Sequence, residues 1–110
     1  MKGLSALFEP KTMAVVGVSL SNDHHPANVI YNKNNHRYPV KVFAVNPRGG
    51  LLHDEEVYTG ISKIPEAVDL AVIVTRSDFA PDIIEECITS GVKAAIVISG
   101  GFSEVGKQDL

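Results

Sequence analysis

The sequence predicts an α/β fold: a doubly wound, mostly parallel sheet within a single domain covering residues 1–110. Three observations predict it. Four runs of five or six residues, rich in Val, Ile and Ala, stand at 13–18, 40–45, 70–74 and 94–98. They lack the polar alternation of a half-solvated strand, so both faces are expected to be covered, as in a parallel sheet. Segments with helix signals separate them, and strand–helix–strand repeats fold by right-handed crossovers onto both sheet faces.

The first strand is expected at 13–17. The helix after it, 26–36, has apolar Val29 and Ile30, but Asn28, Asn32, Asn34 and Asn35 are weak helix formers, so it must rest on packing. The second strand is expected at 41–45. Between 51 and 69, Gly60 and Pro65 leave room for at most a short helix near 61–64. The third strand is expected at 70–74. A strong helix follows over 77–93: Ser77 or Asp78 can cap it, Pro81 suits its first turn, and Gly91 can stop it. Phe79, Ile83, Ile84, Cys87 and Ile88 form its apolar face. The fourth strand is expected at 94–98, and another helix begins as the sequence stops in 104–110. The expectation is an amino-terminal piece of a longer protein, or a sheet truncated at its C-terminal edge.

Of the 110 residues, 45% are hydrophobic and 21% charged, with net charge −3. That excludes the disordered class, and there is no basic surplus for a nucleic-acid partner. One cysteine excludes a disulfide framework and a Cys-cluster zinc site. No apolar run is long enough to span a bilayer, and Glu9, Pro10 and Lys11 interrupt the opening residues before a signal peptide could form. A cytoplasmic protein with neither membrane nor nucleic-acid partner is expected. Charge is uneven, +2 over residues 1–55 and −5 over 56–110, so an anionic ligand would meet the first half.

In open α/β sheets, ligands bind beyond the carboxyl ends of the strands. That rule selects the loops 17–27, 46–50, 75–78 and 99–103. In the first, Gly17 lets the backbone turn sharply. Ser19, Ser21 and Asn22 offer donors beside a helix N-terminus, a setting for phosphate. The pattern is neither G-x-G-x-x-G nor a P-loop. In the second, Asn46-Pro47-Arg48, no acidic residue stands where an NAD ribose would need one. Arg48 stands there instead, favouring a ligand with an extra phosphate, either NADP or coenzyme A. Thr75 and the pair Gly100-Gly101 after Ser99 complete the rim, and glycines there permit close backbone approach.

Together these loops resemble the amino-terminal CoA-binding domain of NDP-forming acyl-CoA synthetases, which include the ADP-forming acetate–CoA ligases and are similar to the succinyl-CoA synthetase α subunit. The resemblance runs through Leu7-Phe8-Glu9-Pro10-Lys11-Thr12-Met13-Ala14-Val15-Val16-Gly17-Val18-Ser19, then Phe43-Ala44-Val45-Asn46-Pro47-Arg48, Ile64-Pro65-Glu66-Ala67-Val68-Asp69-Leu70, and 94–102. It implies a Rossmann-like sheet with CoA as ligand. Ser19, Ser21 and Asn22 would face its phosphates, Arg48 would pair with a phosphate, and Val74, Thr75, Ser99 and Gly100 would line the groove. It also implies partners, the remaining ligase domains or subunit in cis or in trans; self-association stays open. The parent reaction would be acyl-CoA + ADP + phosphate ⇌ acid + CoA + ATP, with the phosphoryl-carrying histidine in a later domain. Three positions depart from the family: Thr75 where proline is common, Ala27 where a first-helix glycine is common, and a longer stretch at 21–25. A freestanding or regulatory CoA-binding module, and an NADP-binding domain, are the alternatives.

The other reactive residues receive plainer readings. His24, His25, His36 and His53 fall in loops or at helix ends and are given no catalytic role, and His24-His25 is no metal site. Cys87 is expected to be a packing residue. Glu85 and Glu86, and the acidic turn Asp54-Glu55-Glu56, are expected to be solvated. No catalytic residue is assigned.

Overall fold

The computed structural model describes residues 9–35, 40–75 and 80–99. In chain order these form β1 (Thr12–Val16), α1 (Pro26–Asn35), β2 (Lys41–Val45), β3 (Gly50–Leu52), β4 (Glu55–Tyr58), a single 3₁₀ turn (Ile61–Lys63), β5 (Leu70–Thr75), α2 (Ala80–Thr89) and β6 (Ala94–Ser99). Among the described residues six strands make one sheet, ordered β3-β4-β2-β1-β5-β6. Every pairing is parallel except β3 with β4.

The four apolar runs become β1, β2, β5 and β6. Three of them are central and buried on both faces. Along β1, Met13 and Val15 face one core cluster with Ala27 and Tyr31 of α1. Ala14 and Val16 face a second, with Ile61, Ile64, Val68 and Cys87. The period of two thus feeds two cores on opposite sides of one sheet, the doubly wound arrangement. Each fully buried Val or Ile contributes about 1.5–3 kcal/mol to that packing. At the far edge, β6 leaves Ile96, Val97 and Ile98 exposed.

Two strands were not foreseen. β3 and β4 form a hairpin across a two-residue turn, Leu52 pairing with Glu55. His53 and Asp54 between them have φ of 53° and 68°. Positive φ at both central positions marks the tight hairpin turn whose twist matches the strands, and His and Asp enter that region more readily than most residues. β4 then joins β2 in parallel at only two positions, Ala44 with Val57 and Val45 with Tyr58. Phe43 and Tyr58 reinforce the seam edge to face, with ring centroids 5.8 Å apart. Glu55 and Glu56 are exposed, as expected.

The second helix is shorter than 77–93. Its cap candidates Ser77 and Asp78, and Phe79, lie outside the described residues. Gly91 does stop it: at φ 80° it lets its own N–H reach the Ile88 carbonyl while Val92 N–H reaches Cys87, the crossed pair that closes helix ends on a left-handed residue. Cys87 is buried, and its thiol is pushed up by burial, then by Glu86, so it packs rather than reacts. Ile88 is a correction: it is 73% exposed. Glu86 is another. Its carboxylate accepts from both the backbone N–H and the hydroxyl of Ser62, each at 3.0 Å, and so ties α2 to the 3₁₀ turn. No described helix is long and apolar enough to cross a membrane.

The amino ends of the strands are gathered by Asp69. Its carboxylate accepts the Lys11 N–H at 2.9 Å and lies 3.5 Å from the Lys93 ammonium. Its own N–H donates to Thr12, and its carbonyl accepts from Ala94 N–H. The Lys11 hydrogen bond in particular holds this carboxyl below the usual carboxylate range. A lowered folded-state value means the stabilisation is present above the unfolded value and lost as pH falls through the folded one. Asp69→Asn should therefore cost about 1–2 kcal/mol in denaturant unfolding at neutral pH. The gap to wild type should close as the pH is taken below about 4. A gap that stays constant as the pH is taken well below about 4 would contradict the assignment.

Candidate functional site: the carboxyl rim of the parallel strands

The site is built by β1 leaving the sheet. The chain order reverses at β1, with β2 on one side and β5 on the other, so β1 ends at the switch point where such sheets open a crevice. Gly17 follows at φ 108°. Its N–H donates to the Val45 carbonyl at 2.9 Å. On its other side a Cβ would collide with the carbonyl oxygen of Val74. No L side chain fits there, so the exit needs glycine for space as well as for conformation.

Asn46 joins the second loop to the first. Its side-chain N–H donates to the Val18 carbonyl at 2.7 Å, and its side-chain oxygen accepts the Arg48 N–H at 2.8 Å. Both ends of the amide are spent on backbone, so Asn46 places the loops. Arg48 is exposed and has no ion pair among the described residues. The lysines of the opposite rim differ: Lys41 pairs with Glu66, and Lys93 with Asp69.

The first loop is folded on its own side chains. Ser19 Oγ accepts the N–H of Ser21 at 3.2 Å and of Asn22 at 2.9 Å. With both lone pairs engaged, its O–H is left to donate to an incoming acceptor. Asn28, fully buried, accepts the Ser19 N–H at 2.6 Å and donates to the Ser19 carbonyl at 2.9 Å. The start of α1 is closed by His25, whose Nδ1 accepts the Ala27 N–H at 3.1 Å. The expected bare helix N-terminus is thus capped in part. Ser21 and Asn22 are exposed, and Ser19 is half-buried.

Of the residues singled out from sequence, Gly17, Ser19, Asn46 and Val74 are brought together by these contacts. Val74 is 2% exposed and packs in the core, so it offers the rim its backbone alone. Thr75, half-buried, ends β5 opposite Ser99 at the end of β6. Gly100 lies outside the described residues, as do Arg76, Gly101, Phe102 and His36. Asn28 was missed as a site residue. Its signal was a polar side chain three residues before Tyr31 on the helix face that Ala27 and Tyr31 bury. No cluster of three or more metal-ligating side chains occurs among the described residues.

Residues 11–108 match a family described as a CoA binding domain. The acetate–CoA ligase [ADP-forming] I subunit alpha of Pyrococcus furiosus is 38% identical over 109 residues, covering 96% of this chain and 24% of that protein. The acetyl-coenzyme A synthetase 1 of Ca. Korarchaeum cryptofilum, solved with phosphate and ADP, superposes with TM-score 0.79 at 36% identity, over 99% of this chain and 24% of that one. A conserved hypothetical protein from Pyrococcus furiosus superposes with TM-score 0.70 at 25% identity, over 91% of this chain and 84% of its own. The chain thus spans at most about a quarter of the ligase relatives it matches.

Gly17→Ala should lower the unfolding free energy by at least about 3 kcal/mol in chemical denaturation, since it combines left-handed strain with a backbone collision. An unchanged denaturation midpoint would show that the β1 exit tolerates a side chain.

Proposed function

Because the chain belongs to the CoA binding domain family, we propose that its carboxyl rim holds the phosphorylated end of coenzyme A. The observation that carries this reading is the convergence of four parallel strand ends on one edge, where Gly17 is held between Val45 and Val74 and Asn46 is bonded to Val18, the residue before Ser19. Such an edge offers what a phosphorylated carrier needs: a bare backbone approach, an O–H free to donate, and an unpaired guanidinium nearby.

In this reading Ser19, Ser21 and Asn22 meet phosphate oxygens, and Arg48 pairs with a phosphate. Thr75, Ser99 and Gly100, with the backbone of Val74, border the groove for the rest of the carrier. The domain makes no bond. Its work is to hold CoA extended so that the thiol is delivered to an acyl group elsewhere, which is positioning. The similarity to ADP-forming acetate–CoA ligases supports a parent reaction of acyl-CoA + ADP + phosphate ⇌ acid + CoA + ATP, completed by further domains or a partner subunit. A second reading, a CoA-binding module standing alone, is favoured by the match to a structure of which this chain covers 84%. An immunoblot of source cells separates the two: a polypeptide of about this size supports the second, a several-fold longer one the first.

Arg48→Ala should weaken CoA binding by about 1–3 kcal/mol in calorimetric titration, with a smaller loss for dephospho-CoA and pantetheine. Equal loss for all three ligands would remove the phosphate-pairing role. Tight NADPH binding without CoA binding would overturn the reading as a whole.

A further inference from the structure

The loop proposed to meet phosphate carries a carboxylate of its own. Asp23 follows directly after Asn22, and a bare negative charge there would oppose an anionic ligand. The structure gives that carboxylate three donors on one oxygen, Oδ1: the side-chain N–H of Asn28 at 3.3 Å, that of Asn32 at 3.1 Å, and His53 Nε2 at 3.0 Å. The His53 bond, followed by those of Asn32 and Asn28, lowers the Asp23 carboxyl to about 2. It is therefore ionised and can only accept, so His53 Nε2 is the donor.

Two of the donors belong to α1. The third comes from another part of the chain, thirty residues away. His53 is the first residue of the β3–β4 turn and sits at positive φ. The hairpin and the loop also approach at a second point, where Leu20 Cδ1 lies within 3.9 Å of the Cβ position at Gly50. The hairpin joins the parallel sheet at two residue pairs, both at its β4 strand, so the contacts with the 17–25 loop are made by its turn and by β3.

We propose that His53 is a positioning residue that clips the β3–β4 hairpin to the 17–25 loop through Asp23, ordering the stretch that carries Ser19, Ser21 and Asn22 and engaging the Asp23 carboxylate within the protein. This rests on the reading that the carboxyl rim holds CoA. His53 and Asp23 are each 49% exposed in their side chains, and pairs so exposed add little to global stability. The clip thus acts on loop order, and its loss spares the fold.

The test measures CoA affinity by calorimetry and amide hydrogen exchange on the ligand-free 110-residue chain. His53→Ala should weaken CoA about fivefold and speed exchange at Ser21 and Asn22, leaving β1 and β5 unchanged. His53→Gln, which keeps a side-chain N–H donor, should restore most of both. In an Asp23→Ala background, replacing His53 should cost nothing further. Wild-type affinity and wild-type loop exchange in His53→Ala would overturn the clip, as would faster exchange spread evenly through β1 and β5. If the wild-type chain takes up no CoA, the functional reading fails by itself. The exchange data still decide the clip: faster at Ser21 and Asn22 supports it, unchanged overturns it.

Discussion

The rim depends on one close approach. Where β1 leaves the sheet, Gly17 passes between the backbone of β2 and that of β5, bonded to the Val45 carbonyl and pressed against the Val74 carbonyl. A Cβ at this position would force those strands apart, and the two loops that Asn46 holds in contact would separate with them. The strand ends meet closely at the switch point because a residue without a side chain stands between them.

Around that floor the protein spends its polar groups on itself. Asn28, buried and doubly bonded to the backbone of Ser19, fixes the loop from below. The Ser19 hydroxyl fixes it from within, and Asn46 from the side. Each bond orders the loop before any ligand arrives, so that cost of binding is met in advance. The opposite rim is arranged otherwise: Glu66 pairs with Lys41 and Asp69 with Lys93, and Asp69 gathers the strand starts. Two lysines at one edge of the sheet are held in ion pairs, and Arg48 at the other has none among the described residues.

The core of this fold was legible in the sequence because β1, β2 and β5 are buried on both faces, and burial on both faces writes an unbroken apolar run. The β3–β4 hairpin was not. Its strands are three and four residues long, and its turn uses His53-Asp54 where Asn-Gly would have announced it. Gly17 could be assigned its turn from sequence, but the second reason for it, the Val74 carbonyl, belongs to the tertiary structure. Asn28 was hidden among four asparagines that differ only in burial. Ile88 and Glu86 show the reverse error: helical periodicity placed the first inside and the second outside. The packing of α2 on the 3₁₀ turn rotates that face so that Glu86 meets Ser62 instead.

The central claim is that the carboxyl ends of the strands, and no other surface, take up the phosphorylated end of coenzyme A. Titrating CoA into the ¹⁵N-labelled chain and following backbone amide shifts tests it directly. The account predicts saturable shifts at Gly17, Ser19, Ser21, Asn22, Arg48 and Thr75, with Lys11, Lys41 and Asp69 at the far rim unmoved. Saturable shifts confined to that far rim, or none at millimolar CoA, would contradict it.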